Sequence, residues 1–217
     1  MAKENHSISM SVIRRLPRYY RFLHSLKENG TVRISSRELS MLMGLTASQI
    51  RQDLNCFGGF GQQGYGYMVD QLYNEIGHIL GVDVPTPAVL LGAGNMGRAV
   101  ANHMDFEKRG IRLVGVFDDS PHVVGSKIRN NKVLPISKID EVCKANKVEV
   151  AILCIPEEVT PNIVKHMISL GISGFWNFSH YDIAYHFPDV AVENVHLSDS
   201  LMTLTYQMNK RRKKDKK

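Results

Sequence analysis

The apolar positions of this chain follow two patterns, divided by Asp83-Val84-Pro85-Thr86-Pro87, which reads as a linker. Before it the spacing is helical. Pro17 suits the first turn of a helix running through Tyr19, Tyr20, Phe22 and Leu23 to Glu28, with Gly30 closing it. Thr31–Ile34 then extends briefly. Ser35-Ser36-Arg37-Glu38 forms a capping box before a short helix with Leu39 and Leu42 inward. Gly44 turns the chain, and Thr46-Ala47-Ser48-Gln49 forms a second box before a helix through Ile50, Leu54 and Phe57. Two capped helices around a glycine turn make a helix-turn-helix. Gly58, Gly59, Gly61, Gly64 and Gly66, interleaved with Phe60, Tyr65 and Tyr67, predict a β-turn wing. A helix from about Val69 to Leu80 follows.

After the linker, apolar strands alternate with helical segments. Strands are predicted at 88–92, 111–118, 148–155, 172–177 and 190–196, and helices at 95–108, 137–146 and 160–170. Such alternation means a parallel sheet covered on both faces. A last amphipathic helix, Asp199–Asn209, sets Leu201, Leu204, Thr205 and Met208 on one side. The expected class is α/β: an N-terminal winged helix-turn-helix (1–84), a Rossmann-like parallel sheet domain (85–198), a C-terminal helix (199–209) and a basic tail (210–217).

The strand at 88–92 runs into Gly92-Ala93-Gly94-Asn95-Met96-Gly97, a G-x-G-x-x-G turn. Gly92 permits the tight turn, Gly94 lets backbone approach a pyrophosphate, and Gly97 lets the next helix pack close to the sheet. The pyrophosphate would lie on the positive end of that helix. Asp118 ends the next strand about 20 residues on, where a carboxylate takes ribose hydroxyls and repels a 2′-phosphate. A dinucleotide is therefore expected, NAD(H) rather than NADP(H). Cys154-Ile155-Pro156 and Asn177-Phe178 end two further strands at the edge where ligands bind. An apolar wall there suits a neutral nicotinamide, whereas burial would strip hydration from the charged ring of NAD⁺; Ile155 and Phe178 could equally be core.

Charge refines this division. Residues 1–80 hold nine Lys/Arg against six Asp/Glu, residues 81–209 hold eleven against fourteen, and Lys210–Lys217 holds seven against Asp215 alone. A basic N-terminal third points to a polyanion partner. The outer face of the second capped helix offers Ser48, Gln49, Arg51 and Gln52, placed to reach base edges or phosphates. Arg14, Arg15, Arg18 and Arg21 add a basic cluster upstream. A solvated helix face is the plain alternative; the capped pair and the glycine–aromatic wing weigh against it. Three cysteines (Cys56, Cys143, Cys154) without metal spacing suit a reducing cytoplasm. No apolar run reaches about 18 residues, so neither a membrane span nor a secretory leader is expected, and the scattered histidines predict no metal site. His180-Tyr181-Asp182 invites a catalytic reading, but nothing supplies a nucleophile or base to it.

In its motifs the sequence resembles the Rex family of redox-sensing transcriptional repressors, over about residues 8–209. Arg15–Arg21 is similar to the family's RLPxYYR, Ile34–Leu39 to ISSxEL, and Gln49–Leu54 to its recognition-helix pattern QIRKDL. Phe57–Gly61 and Gly64–Tyr67 resemble its wing; Gly92–Gly97, Phe117-Asp118 and Asn177-Phe178 resemble its NADH-binding half. The resemblance implies a homodimer with a swapped last helix, two winged helices reading a palindromic A·T-rich double-stranded operator, and release when NADH binds while NAD⁺ competes. It implies cofactor contacts at Gly92, Ala93, Gly94, Asn95, Met96, Gly97, Asp118, Cys154, Ile155, Pro156, Asn177 and Phe178. On the DNA side it implies Arg14, Arg18, Ser48, Gln49, Arg51, Gln52, Gln63 and Tyr65. Gln52, Asn55-Cys56, Gln62-Gln63, Ser120 and His180 depart from the family pattern. The glutamines remove phosphate-neutralising charge, although Gln can pair with adenine; the charge of Lys210–Lys217 could make good the loss. Two rival readings share the sheet. A small NAD-dependent oxidoreductase would need an acid–base pair that the sequence does not offer, and a coenzyme A or nucleotide-binding module explains Asp118 less well.

Overall fold

A computed structural model describes residues 8–58, 61–62 and 65–214. Two compact units meet in sequence between Asp83 and Val84. The first contains α1 (Met10–Ile13), α2 (Leu16–Glu28), β1 (Arg33–Ile34), α3 (Ser36–Met43), α4 (Ala47–Asn55), β2 (Gly61–Gln62), β3 (Gly66–Met68) and α5 (Val69–Leu80). The local chemistry explains these boundaries. Pro17 opens α2, and Ser35 and Glu38 complete a reciprocal capping box on α3, with Gly44 ending it in left-handed geometry. Thr46 caps α4 through the Gln49 N–H, but Gln49 does not return the bond, because its amide goes to Asp53 instead. Leu42 is another correction: Leu39 and Met43 face the core while Leu42 is exposed, since positions 39 and 43 lie one helical turn apart. Leu16, Tyr19 and Leu23 of α2 pack with Ile50 and Leu54 of α4 and with Leu72 and Ile76 of α5. The wing forms as an antiparallel sheet in the order β1-β3-β2.

The second unit is built on β4 (Thr86–Leu91), α6 (Asn95–His103), β5 (Ile111–Asp118), β6 (Lys127–Ile128), β7 (Asn131–Pro135), α7 (Ile139–Asn146), β8 (Val150–Leu153), α8 (Thr160–Ser169), β9 (Gly174–Asn177), α9 (Ile183–His186), β10 (Ala191–Asn194) and α10 (Leu197–Lys214). Its sheet runs β10-β9-β8-β4-β5-β7-β6, parallel except where β6 pairs antiparallel with β7. β5 spans the predicted 111–118, β8, β9 and β10 are shorter than the apolar runs that announce them, and Thr86-Pro87 belongs to β4 rather than to a linker. The predicted helix at 95–108 ends at His103, and a separate turn covers Glu107–Arg109. The last helix extends beyond 199–209 at both ends, so the first residues of the basic tail are helical.

Both faces of the sheet are covered. Val89, Leu91, Phe117, Ala151 and Leu153 pack against Cys143 of α7 and Val164 and Met167 of α8. Ala88, Leu90, Val116 and Ile152 pack on the other face with Val100 and Ala101 of α6. Successive residues of β4 thus serve opposite cores, which is why this strand reads as a continuous apolar run. No helix among the described residues is long and apolar enough to cross a membrane.

Candidate functional site

After β4 the chain lays β5 on one side, and after β7 it crosses back to lay β8 on the other. In open parallel sheets such a reversal leaves a crevice beyond the carboxyl ends of the strands. Here a cleft of about 490 Å³ opens there, lined by Leu91, Gly92 and Gly94 after β4, Phe117, Asp118 and Asp119 at β5, and Cys154, Ile155 and Pro156 after β8. Ile136, Val159 and Ile163 complete an apolar side.

The glycines of the turn differ in what enforces them. Gly92 has φ +90°, and a Cβ there would lie 2.3 Å from the Cys154 carbonyl oxygen. At Gly97 a Cβ would lie 1.8 Å from the Gly92 carbonyl oxygen, so the turn and the first coil of α6 close on each other. A Cβ on Gly94 would meet nothing within 4 Å. The fold demands the first two glycines, whereas the space over Gly94 is open to a ligand. Asn95 and Met96 are exposed in the first turn of α6, whose opening N–H groups lack intrahelical partners. One Asp118 oxygen accepts the Ala93 N–H at 2.6 Å and the other accepts the Ser120 N–H at 2.8 Å. These bonds hold the carboxylate beside the glycine turn and leave lone pairs for hydroxyl donors. This donor and acceptor set fits a dinucleotide: helix-end N–H groups for the pyrophosphate, a carboxylate for a ribose, and an apolar side for a ring.

Not every predicted contact reaches the cleft. Asn177 is fully buried, its amide donating to the Tyr181 carbonyl and Asn194 Oδ1 and its oxygen accepting from the Ser179 N–H and hydroxyl. Phe178 packs edge-on against Trp176 at 4.7 Å. Neither residue lines the cleft; Asn177 shapes the turn after β9 from within the fold. Burial pushes the Cys154 thiol up to about 12 and the Cys143 thiol up to about 11, which keeps both protonated at neutral pH. His180 stacks on His196 at 5.4 Å. Among the described residues no cluster of His, Cys, Asp or Glu is arranged to hold a metal.

In the first unit, α4 exposes Ser48, Arg51 and Gln52, which share one face at i, i+3 and i+4. Arg14 and Arg18 are exposed, and Tyr65 is 70% exposed beside β3. Gln63 lies outside the described residues. Several polar side chains that look available in the sequence are engaged within the unit. Arg18 donates to the Met43 carbonyl, and Arg51 donates to Ser36 Oγ at 3.0 Å, joining α4 to α3. Gln49 is half-buried and donates to Asp53 at 2.8 Å.

Asp53 itself is the residue that the sequence reading overlooked. It is 1% exposed and accepts two 2.7 Å bonds from the Arg15 guanidinium and one from the Tyr19 hydroxyl at 3.0 Å, besides that from Gln49. Burial raises its pKa, but the bonds from Arg15, Gln49 and Tyr19 outweigh burial and leave the carboxyl below its ordinary value. The network fastens the candidate recognition helix to α2. A signal was available: Asp53 stands three residues after Ile50, on the core face, where a carboxylate requires a cation.

A family model described as "Putative DNA-binding protein N-terminus" matches residues 7–55, and one described as "CoA binding domain" matches residues 83–181. The redox-sensing transcriptional repressor Rex of Thermoanaerobacter sp. (strain X514) is 52% identical over 202 residues, covering 93% of this chain and 90% of its own. The chain belongs to the Rex family. Two crystal structures of the repressor RSP are also similar. One, in complex with beta-NAD+ and operator DNA, has 48% identity, a TM-score of 0.85 and coverage of 96% of both chains. The other, in complex with beta-NADH, has 46% identity, a TM-score of 0.87 and coverage of 98% of this chain and 99% of that one. This Rex-family chain is accordingly a redox-sensing transcriptional repressor, not an enzyme, with a winged helix-turn-helix and a Rossmann-like parallel sheet.

Proposed function

We propose that the chain acts in the cytoplasm as a homodimer that binds a palindromic A·T-rich operator and leaves it when NADH fills the cleft of the second unit. The observation that carries this reading is the pairing, in one chain, of a cleft suited to a dinucleotide and a helix-turn-helix with an exposed polar face. In this assignment, Gly92–Gly97 and the first turn of α6 hold the pyrophosphate and Asp118 holds a ribose. Cys154, Ile155 and Pro156 give the apolar surface on which a neutral nicotinamide rests at lower desolvation cost than a cationic one. Asn177 is a positioning residue. Ser48, Arg51 and Gln52 face the major groove; Arg14, Arg18, Tyr65 and Gln63 take backbone or minor-groove positions; Gln49 acts through Asp53. The functional division is 1–84, 85–198, and a terminal helix exchanged between protomers. Leu201, Leu204 and Met208 of α10 are all exposed in the single chain, an apolar stripe that a second copy would cover.

NADH can move the dimer between DNA-competent and released states only through its differential affinity for the two. A mobility-shift titration of an A·T-rich palindrome tests the reading. Release by micromolar NADH but not by NAD⁺ is the expected result. Binding to no palindrome, or equal release by both nucleotides, overturns it.

A further inference from the structure

The last helix has two chemically distinct halves. As far as Met208 it carries Leu197, Leu201, Leu204 and Met208 at i, i+4, i+7 and i+11, a single apolar stripe. From Lys210 the helix continues through Arg211, Arg212, Lys213 and Lys214, all exposed and with no apolar residue among them. Asp215, Lys216 and Lys217 follow in the sequence. This second half is exposed throughout, and its charges lie close together: Lys210 is three and four residues from Lys213 and Lys214, where like charges repel. Favourable interaction with the helix dipole, about 0.3–1 kcal/mol per charge, accounts for some cations at a C-terminus. It does not account for seven in eight residues, with no acidic side chain on the helix after Asp199.

The first unit meanwhile carries less available charge than its composition suggests. Arg15 is neutralised by Asp53 and Lys27 by Asp70. Arg18, Arg33 and Arg51 keep their charge, although each spends one donor on a neutral partner, the Met43 carbonyl, the Tyr65 carbonyl and Ser36. On α4, exposed position 52 is a neutral glutamine. The densest run of positive charge sits at the end of α10, five cations in succession.

Resting on the repressor reading, we propose that Lys210–Lys214 is a second DNA-contact site, an arm that neutralises backbone phosphates and contributes affinity without sequence preference. Helical continuity from the apolar stripe through Lys214 would give this arm a defined direction rather than leave it a loose tail. Phosphate contacts position a protein on DNA without reading bases, so the arm should act alike on any duplex.

The test compares the full-length chain with K210Q/R211Q/R212Q/K213Q/K214Q, by fluorescence anisotropy on an A·T-rich palindromic duplex and on a scrambled duplex of the same composition. Between about 50 and 200 mM salt, log K falls with a slope near −0.9 per neutralised phosphate. The variant dimer should show a slope shallower by about 2 and a Kd about tenfold higher at the low-salt end, on both duplexes. Its light-scattering mass and thermal midpoint should match the parent's. Unchanged slopes overturn the proposal, as does a loss confined to the palindrome. If the parent chain binds palindrome and scrambled duplex equally, the operator reading fails, while the slope on the scrambled duplex still decides the arm.

Discussion

The nucleotide cleft and the helix-turn-helix are both signalled by short motifs, yet they are held together differently. The cleft is backbone geometry: Gly92 and Gly97 are demanded by carbonyl oxygens 2.3 Å and 1.8 Å from where a Cβ would stand, and Asp118 is fixed by two backbone N–H groups. The helix-turn-helix is held by side chains, with Arg15, Tyr19 and Gln49 all converging on the buried Asp53. Backbone requirements leave a signature in consecutive residues. Side-chain convergence joins positions 38 residues apart and leaves none that is contiguous, so motif residues there can serve the fold as well as the ligand.

The contrast breaks most severely at Arg15. Arg15→Ala strands a carboxylate that is 1% exposed and should cost about 3–5 kcal/mol in urea unfolding of the first unit. Replacing both partners with apolar residues of similar size should restore most of that stability, because no unpaired charge then remains buried. A loss under about 1 kcal/mol would show that Asp53 does not organise this unit. The sign of the pH dependence follows: since the Asp53 carboxyl is depressed in the folded state, its contribution is complete above the unfolded carboxylate pKa. It should be lost only as acid below about pH 4 carries the solution through the folded value, seen by circular dichroism.

Gly97→Ala comes next. Its methyl group would meet the Gly92 carbonyl, and the second unit should lose about 1–3 kcal/mol together with its thermal stabilisation by NADH. Gly94→Ala sharpens the same comparison, because the fold leaves open space there. Stability should stay within about 0.5 kcal/mol of the parent, whereas NADH affinity by calorimetry should fall about tenfold, equivalent to about 1.4 kcal/mol. Equal effects at both glycines would mean that the turn serves packing alone. The smallest change expected is Gln52→Lys on the exposed face of α4, which should steepen the salt slope of DNA binding by about 1 per protomer without altering the unfolding midpoint.

The capping box of α3, the proline start of α2 and the glycine turn after β4 were all legible because each is completed within a few residues. The hairpin of β6 and β7 went unread. Its apolar content is short, and the burial of Val133 and Ile128 depends on neighbours elsewhere in the sheet. Asn177 looked like a ligand contact because it ends a strand at the binding edge. Asn194, seventeen residues away, takes one of its amide bonds and helps bring the side chain inside the fold. Gln49 was read as facing DNA for a similar reason, since its tie to Asp53 depends on that carboxylate being buried.

From its sequence alone, this protein's two-part organisation, its dinucleotide turn with an acidic residue downstream and its capped helix pair could be determined, because hydrophobic period, capping and glycine placement act over a few residues. Tertiary structure decided which polar side chains remain available. Burial of Asp53 draws in Arg15 and Gln49, closure of the turn after β9 draws in Asn177, and the segment after β8 shuts Gly92 while Gly94 stays open. Those outcomes depend on which groups meet after distant segments fold together, and hydrogen bonding then settles whether each faces the core or a partner.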